Sequence, residues 1–393
     1  MLNDRLDILG EGPFRKLAML IEQMAPAANL PPINLSIGEP QWGCPEFVGD
    51  VIEAHRHLYG RYPPPRGTRD YREAAMAWLN RRYGLRPGLL DPDRHIVPVS
   101  GTKEGMFTLA QVAIPQSAGS APIALLPNPY YHTYAGAVVS AGAEPVFVPA
   151  TRKTGFLPDF AALDKEMLER AALCIVCSPA NPQGAVADAE YLRHLIALAR
   201  EHDFILLVDE CYAEIYTDIP PTGALEVCAI NGALDNVVVF HSLSKRSSAP
   251  GLRVGFAAGD PNVLDRYMRL RTYGAAVIPL PLDAAATALW RDEAHVKEIR
   301  EGYRKQFDAA ETIIGERLGF YRPAGGFFLW LEVDDSISAA EALWRDAAVK
   351  LLPGEFLARA VDGENPGANY IRVPLVHELG TTTEALERIV NTL

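Results

Sequence analysis

Residues 237–257 read VVVFHSLSKRSSAPGLRVGFA, which is an apolar run, a serine-rich segment and a second apolar run. Apolar runs of about four to eight residues bounded by turn-forming residues are typical of buried strands. Lys245 lies between the two runs, and Arg253 begins the second, eight positions later. The pattern predicts two strands of a buried sheet, with a lysine placed directly after the first of them.

Similar runs recur through the first 280 residues. They stand at 96–99, 123–126, 145–148, 173–177 and 204–208. Helical patterns, such as the one at 189–202, separate several of these runs. Apolar strands that alternate with helices indicate an α/β fold, in which helices cover both faces of a mostly parallel sheet. With the runs at 237–240 and 253–257, the sheet is predicted to have seven strands.

The pattern changes after about residue 280. The remaining chain holds a long helical stretch at 283–318, the apolar run GFFLWLEV at 326–333, and short strands near 349–352 and 370–373 between further helices. Such a mixture indicates a smaller α+β domain. We therefore predict a large domain at 45–280 and a small domain formed by 1–44 together with 281–393.

Length and charge argue against several function classes. The chain has 393 residues, enough for two domains of roughly 150 residues or more. Its net charge of −12 argues against binding to nucleic acids or to anionic membrane surfaces. No apolar run approaches the roughly 18 residues of a membrane span. Residues 1–5 lack the basic and then apolar pattern that begins a signal peptide.

The five cysteines form an odd set in a long chain, which favours reduced thiols and a cytoplasmic protein. Cys174 and Cys177 have a spacing that metal or redox pairs use. Both fall on one predicted strand, where residues three apart point to opposite faces. We therefore predict that they pack in the core, and we predict no metal site.

Polar and small residues follow five of the predicted strands. They are Gly101, Thr102 and Lys103; Tyr130 and Tyr131; Asn181; Asp209 and Tyr212; and Ser242 and Lys245. Ligands of open α/β sheets bind at the carboxyl ends of the strands, so these side chains are expected to meet at one rim. Each feature alone is ordinary, because Gly-Thr or an aspartate can simply cap a helix and a tyrosine can pack in the core. Their combination indicates a ligand site.

This combination resembles the fold-type-I pyridoxal-phosphate enzymes, and among them the class I and II aminotransferases. The resemblance extends from LSIGEP at 35–40 to YIR at 370–372. Its strongest part is SLSK at 242–245 followed by GLRVG at 251–255, with the family's spacing of lysine and arginine. The resemblance implies a pyridoxal 5'-phosphate cofactor and transfer of an amino group between an amino acid and an oxo acid.

The resemblance also implies roles for single residues. Lys245 would hold the cofactor aldehyde as a Schiff base and then carry the proton of the substrate Cα. Asp209 would pair with the protonated pyridine nitrogen, which keeps the ring an electron sink. Asn181 and Tyr212 would bond the ring oxygen. The catalytic set would thus be Lys245, Asp209 and Tyr212.

The remaining implied cofactor contacts surround the ring and its phosphate. The phosphate would be bound by Gly101, Thr102, Lys103, Ser242 and Arg253, the first three at a helix N-terminus. Tyr131 would stack on the ring, with Tyr130 as the alternative. Tyr62 matches a tyrosine that reaches the phosphate of the neighbouring subunit, which implies a homodimer with shared active sites.

The substrate would be bound by Arg372, Gly38 and Asn181. Arg372 would clamp the α-carboxylate bidentately. Within the family, the sequence is most similar to the N-succinyldiaminopimelate aminotransferase group of lysine biosynthesis. The similarity rests on segments at 12–17, 209–216, 241–247, 292–296, 352–358 and 365–367. The predicted reaction is a ping-pong transfer from N-succinyl-LL-2,6-diaminopimelate to 2-oxoglutarate.

Three departures from the group leave the substrate open: Gln183 after Asn-Pro, the proline-rich segment 62–67, and the stretch 271–278. Both predicted substrates carry extra carboxylates, for which Arg271 and Arg15 are candidate cations and Tyr273 a candidate donor, although the sequence fits ordinary surface residues better for both arginines. The alternatives are an aspartate, alanine or aromatic aminotransferase, a pyridoxal-phosphate C–S β-lyase, and a non-catalytic binding domain that kept the fold.

Overall fold

The larger sheet of the computed structural model, which describes residues 4–116 and 121–393, has seven strands. They are β2 (Ile96–Val99), β3 (Ile123–Asn128), β4 (Glu144–Pro149), β5 (Ala171–Cys177), β6 (Ile205–Asp209), β7 (Val237–Ser242) and β8 (Gly255–Gly259). Their order is β2-β8-β7-β6-β5-β3-β4, and β8 alone runs antiparallel to its neighbours. The mostly parallel seven-stranded sheet predicted from the sequence is confirmed.

Helices pack on both faces of this sheet. The helices of the described residues are α1 (Pro13–Ile21), α2 (Phe47–His55), α3 (Arg69–Tyr83), α4 (Thr102–Ala113), α5 (His132–Ala141), α6 (Lys165–Arg170), α7 (Ala189–Glu201), α8 (Ala224–Ala229), α9 (Leu243–Arg246), α10 (Pro261–Gly274), α11 (Leu280–Arg291), α12 (Ala294–Ile314), α13 (Ser336–Ala347) and α14 (Leu379–Thr392). Of these, α1, α13 and α14 contact a second, smaller sheet instead. One apolar cluster joins the sheet to α4, α5 and α10, and a second joins it to α3, α7 and α11. The core therefore consists of two layers, one on each face of the sheet.

Alternate strand residues enter the two clusters, as the period of two requires. Ala124 of β3 lies in the first cluster and Leu125 in the second. In β5, Cys177 lies in the first cluster and Cys174 in the second, and both are buried free thiols. Their predicted packing in the core is confirmed.

The smaller sheet has four strands in the order β1-β10-β11-β9. They are β1 (Ile33–Leu35), β9 (Phe328–Glu332), β10 (Val349–Pro353) and β11 (Tyr370–Pro374). β1 pairs in parallel with β10, so the N-terminal segment joins strands from the end of the chain. The predicted domain bounds, 45–280 against 1–44 with 281–393, stay a prediction; residues 1–3 lie outside the described residues. Helix α11 packs against α2 and α3.

Two predicted elements differ from the structure. The helical stretch at 283–318 is two helices, because Asp292 ends α11 and its carboxylate accepts a hydrogen bond from the His295 backbone N–H (3.1 Å). The strand predicted at 253–257 starts two residues later, since Arg253 has a left-handed φ of +55°. None of the helices in the described ranges combines the length and hydropathy that crossing a bilayer requires.

Candidate active site

A cavity of about 610 Å³ lies at the carboxyl ends of β5, β6 and β7. Twelve of the residues considered for cofactor or substrate from the sequence line it: Gly38, Thr102, Lys103, Tyr130, Tyr131, Asn181, Asp209, Tyr212, Ser242, Lys245, Arg253 and Arg372. β11 carries Arg372 into the cavity, and the loop after β1 carries Gly38. The cavity therefore collects side chains from both sheets, as the rim of an open α/β sheet allows.

Lys245 lies on α9, directly after β7. The Ser242 hydroxyl accepts a hydrogen bond from the Ser244 backbone N–H (3.1 Å) and so caps this short helix. The Lys245 Nζ donates to the carbonyl oxygen of Gly38 (2.6 Å) and lies 5.1 Å from the centre of the Phe327 ring. Burial lowers the pKa of the Lys245 amine to about 8, so a substantial fraction is neutral near physiological pH.

Asp209 ends β6 and is buried. One carboxylate oxygen accepts from the Tyr134 hydroxyl (2.7 Å) and the other from the Cys211 backbone N–H (3.2 Å). Burial raises the pKa of the Asp209 carboxyl, since these neutral donors only partly replace water. A cation placed against Asp209 would stabilise its charge. Tyr134 was not singled out from the sequence.

An anion-binding corner is formed by the start of α4 and the loop before β8. Gly101 precedes α4 with φ +84°, and a Cβ there would lie 2.2 Å from the Arg253 Nη2, so only glycine lets the guanidinium approach. The Arg253 Nη1 donates to the Pro250 carbonyl oxygen (3.0 Å). Neither Arg253 nor Lys103 forms an ion pair among the described residues. Unpaired cations beside a helix N-terminus suit a phosphate.

Arg372 is the buried cation of the opposite wall. Its Nη2 donates to the Ser36 carbonyl oxygen (2.7 Å) and its Nη1 to the Asn181 Oδ1 (3.3 Å). The Nε has no hydrogen-bond partner among the described residues. Burial lowers the pKa of Arg372 to about 10, and no carboxylate of the described chain offsets its charge. Such a guanidinium is suited to bind a carboxylate from a ligand.

Gly38 and the aromatic residues complete the walls. A Cβ on Gly38 would lie 2.6 Å from the Phe328 ring, so the close approach of this loop requires glycine. Tyr212 is buried with its ring edge-on to Phe327 at 5.3 Å. Tyr130 packs on Phe147 at 4.8 Å, whereas Tyr131 is the more exposed of the pair, so the geometry favours Tyr131 as the ring that faces a ligand.

Some predicted residues lie outside the cavity. Tyr62 is fully exposed on this single chain and does not line the cavity. Arg271 is buried, not a surface residue, and its Nη1 contacts Glu104 (2.8 Å) and the Tyr267 hydroxyl (3.1 Å). The structure thus contradicts Arg271 as a free cation for a distal carboxylate. Arg15 and Tyr273 are exposed, and neither lines the cavity.

The strand order, with β8 reversed at one side and the lysine directly after β7, defines an enzyme of the fold-type-I pyridoxal-phosphate class. Comparison with known proteins then narrows the class. The sequence model of the family 'aminotransferase class I and II' matches residues 31–389, and the chain belongs to that family. It is an aminotransferase, and members of the family depend on pyridoxal phosphate and act on small amino acids and oxo acids.

Similar proteins span nearly the whole chain. The crystal structure of an aminotransferase from Neisseria meningitidis Z2491 is 36% identical with a TM-score of 0.95, over 99% of both chains. The LL-diaminopimelate aminotransferase of Desulforudis audaxviator is 32% identical over 386 residues, which are 96% of this chain and 94% of the relative. The transaminase OxyQ of Streptomyces rimosus, named for 4-dedimethylamino-4-oxo-anhydrotetracycline, is 31% identical over 87% of this chain and 88% of its own.

If Lys245 is the amine that captures pyridoxal phosphate in the apoprotein, its lowered pKa predicts how the capture rate depends on pH. Only the neutral amine attacks an aldehyde, so capture should accelerate about tenfold per pH unit well below 8 and level off above it. Stopped-flow absorbance measures the rate, with N-acetyl-lysine amide as the matched free amine. A rate that keeps rising beyond pH 9, as for the free amine, would contradict the lowered pKa.

Proposed function

We propose that this aminotransferase binds pyridoxal 5'-phosphate and transfers the amino group of N-succinyl-LL-2,6-diaminopimelate to 2-oxoglutarate by a ping-pong mechanism. The observation that carries the amino-transfer chemistry is the placement of Arg372, a buried cation without a carboxylate partner, on the cavity that also holds Lys245 and Asp209. The amino donor is proposed on sequence segments, and the two parts of the proposal are therefore tested separately.

The residues present fit the cofactor. Arg253, Lys103, Ser242 and the α4 N-terminus would hold its phosphate, and the buried carboxylate of Asp209 would meet its ring nitrogen. When bound, pyridoxal phosphate supplies an aldehyde that takes the amino group and a ring that delocalises negative charge from Cα. Tyr131 would contact the ring face, and Asn181 and Tyr212 the ring oxygen.

Lys245 would carry the proton that leaves the substrate Cα. Its amine faces the cavity, burial holds its pKa near the working pH, and the Gly38 carbonyl oxygen 2.6 Å away orients the Nζ. A general base works best when its pKa lies near the operating pH, so this amine can take a proton from Cα and return it elsewhere on the substrate. Asp209 would meanwhile keep the positive charge of the ring nitrogen in place.

Arg372 would orient the substrate. Its guanidinium is fixed by the Ser36 carbonyl and Asn181, so an incoming α-carboxylate would meet a cation that is already positioned. The glycine at position 38 keeps the loop after β1 close to the same place. We propose that the strands around Arg372 and this loop close over the substrate and exclude water.

We also propose a homodimer in which Tyr62 reaches the phosphate of the partner's cofactor. The support is its complete exposure on the isolated chain, which leaves its phenol free to contact a second copy. A cytoplasmic location is part of the same proposal, supported by the five free cysteines.

Two donors compete for this site. The sequence segments shared with the N-succinyldiaminopimelate aminotransferase group support the acylated donor, whereas relatives at 32% identity are named LL-diaminopimelate aminotransferases. The second candidate is therefore LL-diaminopimelate itself. An aspartate, alanine or aromatic aminotransferase and a C–S β-lyase remain as outcomes of the test.

A donor panel with 2-oxoglutarate separates these candidates. We expect kcat/KM for N-succinyl-LL-2,6-diaminopimelate to exceed that for LL-diaminopimelate, aspartate, alanine and phenylalanine by about a hundredfold, because a site that binds extra polar groups rejects analogues without them. Glutamate formation is the measurement. Cystathionine without 2-oxoglutarate is the control, since cleavage of its C–S bond to pyruvate, ammonia and a thiol would favour the β-lyase. A preference for LL-diaminopimelate would overturn the proposed donor but not the chemistry.

A further inference from the structure

A second cavity of about 300 Å³ adjoins the active site. The two cavities share five lining residues: Pro13, Lys103, Tyr130, His132 and Leu357. The other walls are the segment 9–12, helix α5 and the segment 356–359 after β10. We call this cavity, with Lys16, Lys103 and Arg359 on its walls, the basic alcove. A ligand can extend from the active site into it because the two share a wall.

The charges of the basic alcove are not balanced within the chain. Lys16, Lys103 and Arg359 form no ion pair among the described residues, and the acidic side chain on its walls is the exposed Glu11. The whole protein carries a net charge of −12, whereas the three unpaired cations make the surroundings of this one cavity positive. Such a concentration of positive potential favours an anionic ligand.

Arg359 is held in place by neutral groups. Its Nε donates to the Tyr130 hydroxyl (3.2 Å) and its Nη2 to the Leu9 carbonyl oxygen (2.6 Å), while its backbone N–H donates to Asn128 (3.0 Å). These contacts fix the guanidinium without neutralising it. A positioned, uncompensated guanidinium binds a carboxylate with less loss of side-chain entropy than a free surface arginine.

The wall between the two cavities is also positive. Burial, together with the charges of Lys103 and Arg372, lowers the pKa of His132 to about 4. His132 is therefore neutral near pH 7, while Lys103 and Arg372 act on it from the same cavity. Positive potential thus extends from the proposed α-carboxylate site at Arg372 to the entrance of the basic alcove.

We infer that the basic alcove binds the distal carboxylate end of a long-chain acidic amino donor, with Arg359 and Lys16 as the specificity-determining residues. The inference rests on the proposed function, because Arg372 must hold the α-carboxylate at the other end. The far end of an N-succinylated diamino dicarboxylate carries two carboxylates, which Arg359 and Lys16 can match, while Lys103 would stay with the cofactor phosphate. The short side chains of aspartate and alanine end within the main cavity and gain nothing from these cations.

The test compares two donors of equal chain length: 2-aminopimelate, which ends in a carboxylate, and 2-aminoheptanoate, which does not. Arg359→Gln should lower kcat/KM for 2-aminopimelate by about ten- to a hundredfold, the usual worth of a hydrogen bond between charged groups. The loss with 2-aminoheptanoate should stay below about threefold. Arg193→Gln, on an exposed residue of α7 outside the alcove, is the matched control and should change neither value.

Lys16→Gln is the second variant, since Lys16 makes only a ring contact with Phe356 (5.6 Å) and its loss leaves the Leu9 tether intact. It should lower kcat/KM for 2-aminopimelate by about tenfold. Calorimetry gives a readout without turnover: pimelate should bind more tightly than heptanoate to the wild-type holoenzyme, and Arg359→Gln should remove the difference.

The outcomes distinguish the two proposals. Equal losses of kcat/KM with both donors would show that Arg359 only tethers the segment at Leu9. That result would overturn the proposal that the basic alcove binds the distal carboxylate. Equal wild-type kcat/KM values for the two donors would also overturn the carboxylate site in the basic alcove, but they would leave the proposed aminotransfer intact. Failure of every donor with the wild-type enzyme would overturn the proposed function, and the alcove with it.

Discussion

Lys245→Ala should reduce transamination by at least about 10⁴-fold, the upper range of what one general base contributes. The expected loss is this large because a single amine would both link the cofactor and carry the Cα proton, and no other lysine of the cavity lies against Gly38 and Phe327. Glutamate formation measures turnover. The visible absorbance of the lysine-linked cofactor should disappear in the same variant.

Two controls separate chemistry from structure in this experiment. Lys153→Ala removes an exposed lysine outside the cavity and should change neither turnover nor absorbance. Lys245→Arg keeps the positive charge but cannot act as a base, since a guanidinium does not lose its proton in proteins. The arginine variant should therefore be as inactive as the alanine variant. Turnover within tenfold of wild type in either Lys245 variant would contradict the assignment.

The larger sheet was predictable because its strands are buried on both faces. The runs at 173–177 and 237–240 are continuous apolar stretches, and such stretches identify a parallel sheet without any knowledge of its partners. The break between α11 and α12 was not predictable in the same way. Asp292 accepts a local hydrogen bond from the His295 backbone N–H at its carboxylate, and its backbone carbonyl accepts a second one from Arg246 (3.0 Å), 46 positions away; only the first of these can be read from the sequence.

The site was predictable to the extent that its residues follow strands. Asp209 and Ser242 end their strands and Asn181 lies four residues after β5, and the structure brings all three to one cavity. Tyr134 was missed because its contact with Asp209 spans 75 residues and arises from the packing of α5 on the sheet. Arg271 was misassigned because its partner Glu104 is 167 residues away, and no local pattern shows that its charge is already paired.

Asp209→Asn should lower kcat by about 10²–10³-fold, the effect of removing one preorganised electrostatic partner from an active site. The asparagine has nearly the same shape, but its amide carries no charge with which to stabilise a cationic ring nitrogen. KM for both substrates should change by less than about threefold, since Asp209 would not contact them. Steady-state kinetics with a saturating cofactor concentration measure both quantities, and an unchanged kcat would refute the role.

Tyr134→Phe is the matched variant for Asp209. It removes the hydroxyl 2.7 Å from the carboxylate but leaves the charge, so kcat should fall only about tenfold, the usual worth of one hydrogen bond to a charged group. If Tyr134→Phe were as inactive as Asp209→Asn, orientation of the carboxylate, not its charge, would be the decisive property of Asp209.

Stability separates a catalytic role of Asp209 from a structural one. Burial raises the pKa of this carboxyl in the folded apoprotein, so the folded state binds its proton more tightly than the unfolded state does. The contribution of Asp209 to stability is therefore lost as pH rises through the folded pKa, and at pH 7 its buried charge destabilises the fold. An amide lacks that cost. The Asp209→Asn apoprotein should melt at the same temperature as wild type or higher at pH 7 in a thermal scan, although its holoenzyme is nearly inactive. A lower melting temperature would show instead that the carboxylate stabilises the fold, and the loss of kcat would then not measure its charge against the ring.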